Sequence, residues 1–125
     1  MRAPLTDLES QVMNAVWSAG PSSVEVVHQA VSRKRSLKEV TVRTILRRLE
    51  QKGYLRHHVE GRAFIYQATE PARSLAARAV RQIMDRLCHG SVEELVSGMV
   101  DAKVLSKAEL DRLAEVVRRR REGGE

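Results

Sequence analysis

Cysteine, aromatic residues and long apolar runs are all scarce in this 125-residue chain. Cys88 is the only cysteine. One thiol can form neither an internal disulfide nor the paired-cysteine half of a zinc site. Its place in a helical apolar pattern reads as a small buried hydrophobe. Aromatic residues make up 3% of the chain, which leaves no obvious apolar pocket for a small ligand. The apolar runs are only a few residues long, far short of the roughly 20 needed to cross a bilayer. Behind Arg2, the opening MRAPLTDLES carries no apolar stretch of the secretory kind. A cytoplasmic location with no membrane partner is expected. No Ser/His/Asp set, glycine-rich phosphate loop or carboxylate pair stands out, so neither an enzyme nor a cofactor is expected. His28, His57, His58 and His89 are poorly spaced, with Cys88, for a metal site.

What the chain does have is positive charge in one place. The formal charge is +6. Between Arg33 and Arg62, ten basic residues stand against three acidic ones, a net +7 that leaves −1 for everything else. Solubility alone would not gather charge into a quarter of the chain. A localised basic patch is the footprint of a polyanion partner.

Five pairs match the capping-box pattern of a helix start: Thr6/Glu9, Ser22/Glu25, Ser36/Glu39, Ser91/Glu94 and Ser106/Glu109. Each precedes an apolar periodicity. A first helix is predicted over about 6–18, with Leu8, Val12, Ala15 and Val16 on one face, closed by Trp17 and the turn Gly20-Pro21. A second runs over about 23–32 on Val24, Val27 and Val31, and a third over about 39–52, stopped by Gly53. Alternation follows. Leu55, His57 and Val59 precede the tip Glu60-Gly61-Arg62, and Phe64, Tyr66 and Ala68 come after it, which reads as a β-hairpin. Three helices and then a hairpin is the order of a winged helix-turn-helix. Pro71 suits the first turn of a fourth helix, over about 71–89, with Leu75, Ala79, Val80, Ile83, Met84 and Leu87 on one side and Gly90 at its end. Two more are predicted, over about 92–100 and 107–121, with the tail Arg118–Glu125 fraying.

The expected architecture is mainly α with a small β-hairpin wing. Residues 1–70 form a winged-helix DNA-binding domain and residues 71–125 a helical dimerisation region. About 55 residues bury little core alone, and apolar stripes without a partner in their own chain suggest a homodimer. The interface residues expected are Leu75, Val80, Ile83, Leu87, Leu95, Leu110, Leu113 and Val117.

On a helical wheel the third helix gathers Val42, Ile45, Leu46 and Leu49 on one face. Opposite lie Thr44, Arg47 and Gln51, flanked by Thr41, Arg43 and Arg48. Arginine forks onto guanine O6/N7, and threonine meets a thymine methyl or a phosphate. Arg43, Thr44 and Arg47 are therefore expected nearest the bases of double-stranded DNA. Thr41, Arg48 and Lys52 are expected on phosphates. Arg62 at the hairpin tip and Arg56 at its base are expected on the DNA backbone or minor groove. Arg33, Lys34 and Arg35 precede the helix as phosphate contacts or a solvated loop. Glu50 reads as a neutral flank residue.

The segments Leu8–Trp17, Thr41–Leu49 and Lys52–Leu55, with the hairpin and helical C-terminus, resemble the penicillinase-repressor (BlaI/MecI) family of bacterial transcriptional repressors. The resemblance spans nearly the whole chain and is specific up to about residue 72. It implies a homodimer on a palindromic operator, acting on β-lactamase, penicillin-binding-protein or own-operon genes. It also implies release through a sensor-linked protease that cuts the C-terminal region. The matching bond here is Gly98-Met99, where the family's best-known members carry Asn-Phe. Copper-responsive relatives end in a cysteine-rich motif that this chain lacks, so no metal is implied. Two rival readings are a winged helix used as a protein-interaction module, whose exposed face should be apolar or mixed, and a ligand-sensing regulator.

Overall fold

The computed structural model describes residues 3–123. In order, it contains α1 (Asp7–Ala19), β1 (Ser22–Ser23), α2 (Val24–Ser32), α3 (Glu39–Gln51), β2 (Leu55–Glu60), β3 (Ala63–Ala68), α4 (Ala72–Leu87), α5 (Val92–Asp101) and α6 (Lys107–Glu122). The chain divides into two units, Met1–Ala76 and Ala77–Glu125, with the division falling inside α4.

The first unit is a winged helix. Helices α1, α2 and α3 pack around Val12, Met13, Val16, Val24, Val27, Val31, Val42, Ile45, Leu46 and Leu49, and the sheet adds Leu55 and Tyr66. The buried faces of α2 and α3 are the ones their periodicity predicts. On α1 the stripe is shifted: Glu9, Val12, Met13 and Val16 are buried, and Leu8 and Ala15 pack against that core only in part. The hairpin is joined by a two-residue loop, because Glu60 already pairs with Ala63. Gly61 opens that loop at φ +62, a conformation a side chain would strain.

The sheet order is β1-β3-β2, all antiparallel. Strand β1 was not expected: two serines give no alternation to read, yet Ser22 pairs with Tyr66 and Ser23 with Ile65. This strand also corrects the capping assignment. Ser22 is buried and donates to Gly20 O at 2.6 Å, so Ser23 caps α2 instead. Ser36 caps nothing either. Lys38 is the N-cap of α3, without a side-chain bond, and Glu39 pairs with Arg43. Full boxes form at Thr6/Glu9 and Ser106/Glu109, and Ser91 accepts from Glu94 N.

Two interactions fix the chain as it leaves the wing. Trp17 Nε1 donates to Glu70 O at 3.0 Å, and Thr69 Oγ1 donates to Gly53 O at 2.9 Å. Leu75 packs against the core of the first unit, which withdraws it from the expected dimer stripe.

In the second unit, helices α5 and α6 are well capped but little is covered. Met84 is the one buried apolar side chain among its described residues. The left-handed pair His89 and Gly90 ends α4. The expected fraying of the tail does not occur up to Glu122. Glu115 pairs with both Arg118 and Arg119, and the arginines sit at the C-terminal end of the helix dipole. Gly124 and Glu125, like Arg2, lie outside the described residues. No helix among those described is long and apolar enough to cross a membrane.

Candidate nucleic-acid interface

Helix α3 is fixed from behind. Val42, Leu46 and Leu49 have no measurable exposure and Ile45 is 3% exposed, so the opposite face is held rigidly outward. That face carries Arg43, Thr44, Arg47, Arg48 and Gln51, all exposed, with Thr41 half-buried at the first turn. Arg43 pairs with Glu39 at 3.0 Å across one turn of helix. A solvent-exposed pair of this kind is worth only ~0.5 kcal/mol and yields readily to a stronger anion. Thr44 Oγ1 donates its proton to Val40 O at 3.0 Å. Its methyl and its lone pairs are what remain for a partner. The side chains of Arg47 and Arg48 make no hydrogen bond or ion pair among the described residues.

The wing closes over this face. A cleft of about 240 Å³ is lined by Arg43 and Arg47 from α3, Arg62, Ala63, Phe64 and Tyr66 from the hairpin, and Val24 and Glu25 from α2. Three arginines from two elements line one concavity, where they concentrate positive potential. Burial and then the nearby Glu50 carboxylate push the Tyr66 phenol above its ordinary value, partly offset by Arg47 and Arg43. Tyr66 is 2% exposed and serves as the floor of the cleft, not as a titrating group.

The remaining basic residues sort into three kinds. Arg33, Lys34 and Arg35 are exposed in the turn before α3. Arg56 is engaged across the strand pair: Gln67, with its amide oxygen turned toward Arg56, accepts from the guanidinium at 2.6 and 2.9 Å. Lys52 is committed inward. Its Nζ lies 2.7 Å from Glu9 Oε1 and 3.4 Å from Pro4 O. Glu9 is 1% exposed, and a buried carboxylate demands a partner. Lys52 is thus withdrawn from the expected phosphate set. Burial raises the Glu9 pKa, but Lys52 and the Thr6 amide outweigh it and hold the carboxyl below its ordinary value.

Glu50, read from sequence as a flank residue neutral to binding, makes a contact the sequence did not suggest: its carboxylate accepts from His57 N at 3.2 Å and lies 2.7 Å from His57 Nδ1. Since an ionised carboxylate only accepts, Nδ1 carries the proton. The His57 ring stacks on Phe64 with centroids 4.2 Å apart. A Glu seven residues before a histidine, across a glycine turn, is too loose a pattern to have found from sequence.

Two of the other histidines are also occupied. His28 bonds Leu37 O at 2.7 Å, and His58 lies 2.8 Å from Glu60. Among the described residues no group of three His, Cys, Asp or Glu side chains is disposed to hold a metal. Of the expected dimer residues, Val80, Ile83, Leu87, Leu113 and Val117 are exposed and Leu95 and Leu110 half-buried. The Gly98-Met99 bond lies inside α5, with Gly98 O accepting from Ala102 N at 2.9 Å.

Comparison with known proteins places this geometry in context. A family model described as penicillinase repressor matches residues 5–119. The penicillinase repressor of Bacillus licheniformis is 26% identical over 113 residues, covering 90% of this chain and 88% of that protein. The transcriptional regulator BlaI of Mycobacterium tuberculosis is 38% identical over 74 residues, covering 58% of this chain and 54% of that protein. The solution structure of monomeric B. licheniformis BlaI in complex with the blaP half-operator superposes with a TM-score of 0.50 at 30% identity, covering 58% of this chain and 88% of that one.

Proposed function

Because the chain belongs to the penicillinase repressor family of winged-helix transcriptional repressors, we propose that it acts in the cytoplasm as a homodimer on a palindromic operator. In each copy, α3 enters a major groove, which is wide enough to admit a helix. Arg43 and Arg47 fork onto base edges. Thr44, its proton already given to the helix backbone, offers a methyl to thymine or an oxygen to a base amino group. Arg48, Gln51 and Thr41 flank the helix on phosphates, and Arg62 reaches the neighbouring backbone from the wing. The observation that carries this reading is the convergence of Arg43, Arg47 and Arg62 on one cleft, above a helix whose other face is completely buried. A protein-interaction module would instead present an apolar or mixed face on α3.

Dimerisation follows from what the second unit leaves uncovered. Val80, Ile83 and Leu87 on α4, and Leu113, Val116 and Val117 on α6, are 42–78% exposed, and a second copy of the same helices is the occupant we infer. Non-specific DNA binding by one such domain is typically about 10⁻⁴ to 10⁻⁶ M. Linking two half-sites raises affinity without any new contact. Loss of the dimer therefore releases the operator while Arg43 and Arg47 stay intact. A sensor-linked protease acting at Gly98-Met99 is one route, and it requires α5 to unwind first, because that peptide is hydrogen-bonded within the helix. The regulated genes are inferred to be β-lactamase-type, penicillin-binding-protein or own-operon genes.

The test is fluorescence anisotropy on a duplex that the wild-type protein selects from a randomised library, against a scrambled duplex. Specific binding about a thousandfold tighter than scrambled is expected. Arg47→Ala should weaken binding to the selected duplex by about 1–3 kcal/mol and relax base preference at one position. An equal loss on both duplexes would reduce Arg47 to a phosphate contact.

A further inference from the structure

The wing is joined to α3 by a short turn in which Gly53 sits at φ +90. Toward its tip the hairpin is bare: Val59 is 57% and Phe64 45% exposed. The core and β1 hold only the base of the hairpin, and the two-stranded ribbon beyond them is marginal in water. One chain of contacts stiffens that outer part. Glu50, in the last turn of α3, grips both the backbone amide and the imidazole of His57 on β2. His57 stacks on Phe64 of β3 at 4.2 Å with an interplanar angle of 11°. Phe64 lines the same cleft as Arg43, Arg47 and Arg62.

We infer that Glu50 is a positioning residue for DNA binding. Through His57 and Phe64 it locks the wing to α3, so that Arg62 is held at a fixed distance from Arg43 and Arg47. The inference rests on the DNA-binding reading above. Leverage makes the contact matter. Three strand steps and the two-residue loop carry the chain from His57 to Arg62, roughly 13 Å at strand rise. A tilt of about 10° at His57 would move the tip by about 2 Å, most of the length of a hydrogen bond. The carboxylate suits the task because, once ionised, it accepts from two N–H groups together. It also places a negative charge beside a surface meant for phosphates, so removing that charge alone should favour DNA.

That opposing effect sets the design of the test. Glu50→Gln and Glu50→Ala remove the same charge, but glutamine retains an acceptor for His57. Each is measured by anisotropy on the duplex selected by the wild type and on the scrambled duplex, with thermal unfolding as a control for the fold. Glu50→Ala should bind the selected duplex about fivefold or more weakly than Glu50→Gln. In an Arg62→Ala background the difference should vanish, because the lock acts through the wing tip. Phe64→Leu, which breaks the stack at an exposed position, should show the same dependence on Arg62. If the glutamine and alanine variants bind alike, or if their difference persists without Arg62, the positioning role is wrong and the DNA-binding reading stands. If the wild type selects no sequence from the library, both fall.

Discussion

The two units of this chain use apolar residues in opposite ways. In the first, Leu46 has no exposure and its helix is pinned from behind; in the second, Leu87 is 78% exposed on a helix of similar amphipathic character. Of the 14 buried apolar side chains among the described residues, Met84 alone belongs to the second unit, so a core of its own cannot be what holds that unit's helices. The contrast separates a unit that carries its own core from one whose apolar faces lie largely uncovered among the described residues.

The sharpest way to break this contrast is to truncate matched leucines. Leu46→Ala should cost about 2–5 kcal/mol, read by denaturant unfolding. Trp17, the only tryptophan, lies in the first unit and makes a clean fluorescent reporter of it. Leu87→Ala should leave that transition unmoved. Leu87→Asp should act on assembly instead, weakening the dimer by about 2 kcal/mol through a buried, unpaired charge. Sedimentation velocity checks it, and an unchanged profile would make the α4 stripe an exposed surface with no partner.

A third change tests the rigidity of the first unit by pH. The Glu9 carboxyl is held below its ordinary value, so the stability it contributes is complete above the ordinary carboxylate range. It is lost as pH falls through that range toward the lowered folded pKa. Glu9→Gln should cost about 1–3 kcal/mol at neutral pH, by leaving the Lys52 ammonium without its counter-charge. The cost should shrink as the medium is acidified. The smallest effect belongs to the second unit. Gly98 sits in helical conformation with nothing within 4 Å of an added Cβ. Gly98→Ala should therefore stabilise α5 by about 0.4–1 kcal/mol and slow limited proteolysis there.

Much of this architecture was legible from spacing. The positions of the six helices among the described residues, the hairpin and the buried face of α3 follow from apolar period and from turn residues, because each depends on neighbours within a few positions. What was not legible depends on distant partners. Lys52 looked like any other cation in a basic window, and its true neighbour lies 43 positions away. Glu9 satisfied a capping box, which explained it without requiring burial, although its spacing to Val12, Met13 and Val16 places it on the same stripe. Leu75 fitted the α4 stripe, but periodicity does not say which core a stripe meets. The candidate interface was legible as a set of exposed residues on α3. The cleft it forms with Phe64 and Tyr66, and the Glu50 contact behind it, required three dimensions.

Two serines carry a consequence beyond the wing's geometry. By pairing with Tyr66 and Ile65, β1 makes β3 the centre of the sheet. The long open edge is then β2, whose outward run of Arg56, His58 and Glu60 discourages a foreign strand from adding to it. An exposed β-hairpin on a protein at high local concentration is an invitation to edge-to-edge aggregation. Here a two-residue strand guards one side of the hairpin and a run of polar and charged side chains the other, so the wing can stay bare for a ligand without becoming a seed for fibres.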